Sequence, residues 1–183
     1  GLDGRIARAL KSTSRFGAEL DSLADFIDFG VAPAILLYFW GLNDIKSAGW
    51  LAAMVYAVAC ALRLARFNSQ VGQVDKRWFI GLASPAAAGL MASFVWTMQD
   101  LGLQGPDLRH AALAVTITAG LLMVSRIRYS SFKGSGSGPK ADRVPFFALL
   151  IVVVVLIALA IDAPKTLLAA SVLYALSGPL LWF

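Results

Sequence analysis

Six long apolar stretches, separated by short polar and basic segments, dominate the chain. They lie at about residues 20–42, 47–66, 79–99, 110–126, 144–161 and 166–183. A helix needs about 20 mostly apolar residues to cross the hydrocarbon core of a bilayer, and each stretch comes close to that length. The pattern therefore predicts an all-α, polytopic bundle with six transmembrane helices.

Basic residues are concentrated in alternate connections between the predicted spans. Segments 1–17, 63–78 and 126–143 together hold 13 of the 16 lysines and arginines. Cytoplasmic loops of membrane proteins carry an excess of these residues, so the three segments are predicted to face the cytoplasm. We expect an integral protein of a bacterial inner membrane, with both ends of the given chain on the cytoplasmic side.

Composition narrows the class of protein further. Of the 183 residues, 58% are hydrophobic and 15% are charged, which excludes an ordinary cytosolic globule. The single Cys60 and the single His110 exclude a disulfide framework, a cysteine-based zinc site and a histidine cluster. The net charge is +5. In a membrane protein such an excess of basic residues marks the cytoplasmic loops, so nucleic acid is not expected as a partner.

Three aspartates, Asp21, Asp25 and Asp28, enter the first predicted span. At about 100° per residue they share one face of a helix. Each carboxylate costs a few kcal/mol if it is carried towards the membrane centre, so the cluster requires cationic partners. Arginines from neighbouring loops and a divalent metal are the two candidates. A solvated acidic first turn is the alternative, and it is strongest for Asp28.

A longer motif contains two of these aspartates. Seven residues have the spacing D-G-x2-A-R-x8-G-x3-D-x3-D: Asp3, Gly4, Ala7, Arg8, Gly17, Asp21 and Asp25. The chain therefore resembles the CDP-alcohol phosphatidyltransferases, whose signature has these residues at these intervals. That signature begins with another aspartate three places earlier, at the end of a preceding span. The resemblance thus implies that residues 1–183 are a single integral-membrane domain lacking at least one N-terminal span and one metal ligand.

The resemblance also implies a reaction and its catalytic groups. Members of the family pass the phosphatidyl group of a CDP-linked lipid to an alcohol and release CMP. By resemblance, Asp3, Asp21 and Asp25 are ligands for Mg²⁺ or Mn²⁺, and Asp25 is also the general base. Hard carboxylate oxygens suit these ions, and a carboxylate can accept the proton of an attacking hydroxyl.

The small residues of the motif are expected to bind the nucleotide. Gly4, Ala7 and Gly17 allow a cytosine ring and a diphosphate to approach the backbone closely. Close helix packing is an equally compatible role for them. Arg8 is expected to bind phosphate, with a lipid-facing interfacial arginine as the alternative.

Three further segments resemble the phosphatidylserine synthase branch of the family. They are residues 63–68, 79–89 and 125–133, where Ala83 replaces a proline common in that branch. L-serine carries a carboxylate, which a guanidinium can bind through two hydrogen bonds. The candidate acceptor-binding residues are Arg63, Arg66, Asn68, Arg126 and Arg128. The alternative for each arginine is contact with lipid phosphates.

Other functions remain open on the sequence alone. The same chemistry could use inositol phosphate, glycerol phosphate or choline as the acceptor, and a small secondary transporter is a distant alternative. CDP-diacylglycerol, L-serine, CMP and membrane lipids are the expected partners, and the resemblance implies a homodimer. Residues 134–138, Gly-Ser-Gly-Ser-Gly, have the composition of a flexible loop or an engineered linker. Pro85 is expected to kink the third span.

Overall fold

A computed structural model of the protein describes residues 15–69, 78–130 and 146–182. Its helices are α1 (Arg15–Phe26), α2 (Ala32–Leu37), α3 (Ser47–Ser69), α4 (Ser84–Asp100), α5 (Arg109–Val124), α6 (Phe146–Ile161) and α7 (Ala163–Trp182). Two short antiparallel strands, β1 (Trp78–Ile80) and β2 (Arg128–Ser130), pair with each other. The linker-like residues 134–138 lie outside the described ranges.

Helices α1 and α2 belong to one helical rod that continues to Ile45. Two π-helical segments, Ile27–Val31 and Tyr38–Leu42, interrupt the rod, and a 3-10 turn over Asn43–Ile45 ends it. Single π turns inside α-helices are frequent at functional sites. The first π segment here directly follows the turn that carries Asp25.

The predicted all-α bundle is confirmed, since each of the six apolar stretches contains a helix. Two helical stretches, Glu19–Ile45 and Ser47–Ser69, are long and apolar enough to cross a membrane, and shorter apolar helices cover Arg109–Val124 and Val152–Ile161. The apolar side chains from Val152 to Ile157 on α6 are all exposed. Such a continuous apolar surface is typical of a membrane-facing helix.

The third predicted span differs from the structure at its start. We expected a helix from about residue 79, but α4 begins at Ser84 because Trp78–Ile80 pair with Ser130–Arg128. Gly81 then turns the chain with a φ of +79°, a conformation that favours glycine. The kink expected at Pro85 is absent, because Pro85 lies in the first turn, where no helical hydrogen bond is lost.

The core forms where α3 packs against α5 and α4 packs against α7, with the α1–α2 rod alongside α3. Its largest fully buried side chains include Leu37, Tyr56, Leu82, Met91 and Met123. Successive helices alternate in direction. The start of α1, the ends of α3 and α5 and the two strands therefore meet at one end of the bundle, which we call the ladder end.

The opposite end of the bundle, the far end, holds the turns between α2 and α3, α4 and α5, and α6 and α7. The backbones of Gly41 and Gly105 touch there. Lys165 at the start of α7 lies 4.0 Å from Asp100 at the end of α4. The described parts of the three basic segments all lie at the ladder end, so the grouping expected from the charge pattern is found in the fold.

Candidate active site

Two carboxylates of the predicted metal site lie on α1 at the ladder end. Asp21 is exposed and Asp25 is half-buried, while Asp28, in the π segment, is exposed. Because α1 is helical, Asp21 and Asp25, four residues apart, share one side of it, and Asp28 follows three residues later in the first π segment. Within residues 15–69, 78–130 and 146–182, none of the three forms an ion pair.

The resemblance implies a divalent metal, and the described carboxylates can be compared with the ligands that such a metal needs. In the described parts of the chain, no three His, Cys, Asp or Glu side chains are grouped closely enough to hold a metal ion. The carboxylate oxygens of Asp21 and Asp25 are of the kind that hard cations bind. No described lysine or arginine forms an ion pair with either carboxylate. A complete site requires another ligand, and the predicted one, Asp3, lies outside the described residues.

The predicted nucleotide-binding residues are only partly within the structure. Gly4, Ala7 and Arg8 lie outside the described residues. Gly17 lies near the start of α1, one turn before Asp21, and is exposed. Its position on the side that leads to the carboxylates is compatible with close approach of a diphosphate.

Arg63 is a partly buried member of the predicted acceptor-binding set. It projects from α3, and its Nη1 donates a hydrogen bond to Ser84 Oγ at 3.2 Å. Its Nε is buried and lacks a hydrogen-bond partner among the described residues. A buried donor without a partner costs about 1–3 kcal/mol, so this N–H is available to an anionic ligand.

Three residues around Arg63 were not predicted. Ser84 accepts the hydrogen bond from Arg63 and also lies within hydrogen-bond reach of the Cys60 thiol. Tyr174 on α7 lies within electrostatic reach of Arg63, and Cys60 lies within reach of both Arg63 and Asp25. Ser84 falls in the segment 79–89, one of the three that resemble the phosphatidylserine synthase branch. No sequence signal links Tyr174 to the site.

Arg66 and Asn68 connect α3 to its neighbours at the ladder end. Arg66 Nη1 donates to the carbonyl oxygen of Val124 at 3.1 Å, which satisfies a free carbonyl at the end of α5. Asn68 Nδ2 donates to Ser22 Oγ at 3.0 Å, beside Asp21. The structure thus brings the end of α3 next to the acidic side of α1.

The two remaining arginines lie after α5. Arg126 is exposed in the short connection to β2. Arg128 lies within β2, and its backbone pairs with Ile80 of β1. The amide of Gly81 donates to the carbonyl of Ile127 at 2.8 Å, which fixes the ladder against the end of α5. Both arginines are therefore at the same end of the bundle as the aspartates.

Comparison with known protein families shows to which family the chain belongs. The family model for CDP-alcohol phosphatidyltransferase matches residues 1–125, which include the acidic side of α1 and the whole of α3. The chain belongs to the CDP-alcohol phosphatidyltransferase family. The family and the long apolar helices together make it a membrane protein. Family membership gives no support to the transporter alternative.

Several curated relatives of this chain share one name, CDP-diacylglycerol–serine O-phosphatidyltransferase. The relative from Helicobacter pylori is 41% identical over 133 residues, covering 73% of this chain and 56% of its own length. The relative from Methanocaldococcus jannaschii is 41% identical over 132 residues, covering 72% and 58%. The relative from Bacillus subtilis is 35% identical over 134 residues, covering 72% and 68%. The chain thus spans little more than half the length of the first two.

Proposed function

We propose that the full-length protein transfers the phosphatidyl group of CDP-diacylglycerol to the hydroxyl of L-serine, giving phosphatidylserine and CMP. Family membership supports the donor chemistry. The shared name of the relatives supports serine as the acceptor. The single structural observation that carries this choice is the buried, unpartnered Nε of Arg63.

The surroundings of Arg63 favour serine over the other acceptors. A guanidinium with a free N–H can bind one carboxylate through two parallel hydrogen bonds in a nearly dry site. Arg66 already donates to a backbone carbonyl, so a doubly charged phosphate would meet only one deeply placed guanidinium. Choline has no anionic group to satisfy Arg63. Asn68, beside Asp21, is suited to bind the amino group or the hydroxyl of serine.

Transfer forms a bond between the serine oxygen and the lipid phosphorus. The bridging P–O bond of the diphosphate breaks, and CMP leaves with the bridging oxygen. Asp25 accepts the hydroxyl proton as the new bond forms, which requires a carboxylate within hydrogen-bond reach of the acceptor. Its half-buried position, deeper in the bundle than Asp21, suits this task.

The remaining motif residues hold the donor. Asp3, Asp21 and Asp25 would bind Mg²⁺ or Mn²⁺. The bound ion would neutralise the negative charge of the diphosphate. Gly17, with Gly4 and Ala7, admits the nucleotide close to the backbone. Arg8 binds a phosphate oxygen. Arg126 and Arg128 add positive charge at the same end of the bundle, which attracts the anionic substrates.

The proposal extends to the setting of the enzyme. Residues 1–183 belong to a single integral-membrane domain in a bacterial inner membrane. The ladder end faces the cytoplasm, because the described parts of the basic segments meet there. A homodimer is proposed from the family resemblance alone.

The proposal is tested by CMP release from CDP-diacylglycerol with purified full-length protein. L-serine should support release, whereas glycerol phosphate, inositol phosphate and choline should not. Release with glycerol phosphate but not with serine would overturn the choice of acceptor. Flux across proteoliposomes without CMP formation would overturn the enzyme assignment.

Metal dependence is tested in the same assay. An excess of chelator should stop CMP release, and added Mg²⁺ or Mn²⁺ should restore it. Full turnover in the presence of excess chelator would exclude the metal-binding role of the aspartates.

A further inference from the structure

Two long helices of the bundle contain a proline after their first turns. Pro33 lies in the α1–α2 rod, and Pro179 lies inside α7. Proline has no backbone N–H, so the carbonyl four residues earlier loses its α-helical donor. In α7 the affected carbonyl is that of Ala175. Four residues before Pro33 is Phe29, which lies in the first π segment, where the Ala32 amide reaches back five residues to the Ile27 carbonyl. Within a membrane such a carbonyl needs another partner, because water is absent.

In both cases a tyrosine from a different element supplies that partner. Tyr56 on α3 donates its hydroxyl to the carbonyl of Phe29 at 2.9 Å. Tyr129 on β2 donates its hydroxyl to the carbonyl of Ala175 at 3.0 Å. Both tyrosine side chains are fully buried, with 0% exposure. We call each arrangement, a tyrosine hydroxyl in place of a proline N–H, a tyrosine stitch.

The packing around Tyr129 depends on this contact. A β-carbon at Gly178 would overlap the ring of Tyr129, so only glycine admits the ring beside Pro179. The ring also packs against Tyr174, with centroids 5.6 Å apart. Burial raises the pKa of Tyr129, which keeps the hydroxyl protonated and able to donate. The contact is therefore fitted in shape as well as in hydrogen bonding.

Each stitch holds a segment that carries residues of the site. Phe29 lies one turn after Asp25, so the Tyr56 stitch fixes the acidic side of α1 against α3. The Tyr129 stitch fixes β2, which contains Arg128, against α7. The bonded residue, Ala175, directly follows Tyr174, and Tyr174 lies within electrostatic reach of Arg63. The two stitches thus join different pairs of elements around the proposed site.

We propose that Tyr56 and Tyr129 are positioning residues, Tyr56 for the general base Asp25 and Tyr129 for the arginines that bind the acceptor. Neither touches the reacting atoms. The kinetic part of this inference rests on the proposed function. The replacement of a proline N–H by a tyrosine hydroxyl does not.

A double-mutant cycle tests the replacement itself. Tyr129→Phe should lower the melting temperature in detergent by about 2–4 °C, the shift expected for one lost hydrogen bond. Pro179→Ala restores a helical donor for the Ala175 carbonyl. In that background Tyr129→Phe should cost less than half as much. Tyr38→Phe is the matched control, since no described residue bonds to that hydroxyl. Equal losses in both backgrounds would overturn the stitch.

Kinetics test the positioning roles. Tyr56→Phe should lower kcat roughly tenfold with little change in the KM for serine, because the base is displaced. Tyr129→Phe should instead raise the KM for serine roughly fivefold with kcat within a factor of two. If both variants changed only the yield of folded protein, the positioning roles would be overturned. If the wild type released no CMP with any acceptor, the proposed function would fail, and the melting cycle would still decide the stitch.

Discussion

The two ends of the bundle differ in whether their acidic side chains have cationic partners. At the far end Asp162 pairs with Lys165, three residues later, and Lys165 also approaches Asp100. At the ladder end Asp21 and Asp25 have no cationic partner among the described residues. This group of charges at the far end is thus neutralised within the protein, as in a structural element. The ladder end leaves carboxylates and a guanidinium N–H free for ligands, as a binding site does.

Separate helices are joined by polar contacts at both ends, but by more of them at the ladder end. Three hydrogen bonds at the ladder end join residues 21, 58 and 46 positions apart. At the far end Asp162 and Lys165 are three positions apart, and the longer contact of Lys165 with Asp100 joins α7 to the end of α4. Long-range contacts hold separate helices in fixed relative positions, which a site built from several helices requires. We therefore expect the chemistry at the ladder end and a structural role for the far end.

The sharpest test of this comparison is Asp25→Asn. The change removes the proposed base while keeping the size of the side chain, so transfer should fall about 10³-fold or more. CMP release and the melting temperature in detergent measure the two effects. Asp28→Asn, on the same side but outside the motif spacing, is the matched control and should stay near wild type. Normal turnover in Asp25→Asn would remove that residue from the mechanism.

Arg63→Lys tests the acceptor side of the ladder end. A lysine keeps the charge but cannot offer two parallel N–H groups, so kcat/KM for serine should fall roughly 10- to 100-fold. The loss should appear mainly in the KM for serine and not in that for CDP-diacylglycerol. Arg109→Lys, at the exposed start of α5, is the control. An unchanged KM for serine would reject Arg63 as the carboxylate-binding residue.

Gly105→Ala tests the far end. A β-carbon there would overlap the carbonyl oxygen of Trp40, so the change should cost about 1–3 kcal/mol of folding free energy. Thermal unfolding in detergent measures this loss, and kcat per folded molecule should not change. Gly89→Ala is the control, because its β-carbon would meet only Ser171 Oγ, at 3.7 Å. A kcat loss in Gly105→Ala would contradict the division between the two ends.

Asp162→Asn should have the smallest effect. The bond to Lys165 lowers the pKa of Asp162, and the same bond raises the pKa of Lys165. The lowered pKa gives stability above about pH 4 that is lost as the pH falls further, and the raised pKa gives stability that is lost above about pH 10. The pair is exposed and screened, so the melting temperature should change little and uniformly between about pH 5 and 9. A loss of catalysis would show that the far end takes part in the reaction.

The helices and the acidic side of α1 could be predicted because both are local in the sequence. Apolar stretches of nearly 20 residues define the helices, and fixed intervals bring Asp21 and Asp25 to one side. The β ladder could not be predicted, since three-residue strands have too few positions to show an alternating pattern. Trp78–Ile80 simply extend the apolar run of the third span.

The partners of the site residues could not be predicted either, because they depend on which helices are neighbours. Nothing near Arg63 in the sequence indicates Ser84 or Tyr174. Prolines at 33 and 179 indicate free carbonyls, but the donor in each case comes from a residue 27 or 46 positions away. Arg66 shows the same limit. Its sequence context suits a ligand-binding role, whereas its nearest acceptor is a backbone carbonyl at the end of α5.

The pairing of Trp78–Ile80 with Arg128–Ser130 has a practical consequence for protein production. The family match ends at residue 125, which invites truncation there. A chain cut at that point would lose β2, leaving the amides and carbonyls of β1 as an open edge, together with the Gly81 amide that bonds to Ile127. Open strand edges recruit other chains and promote aggregation. A shortened version must therefore extend through Ser130 to keep the ladder, and through α7 to keep the partner of Tyr129 and the core against α4.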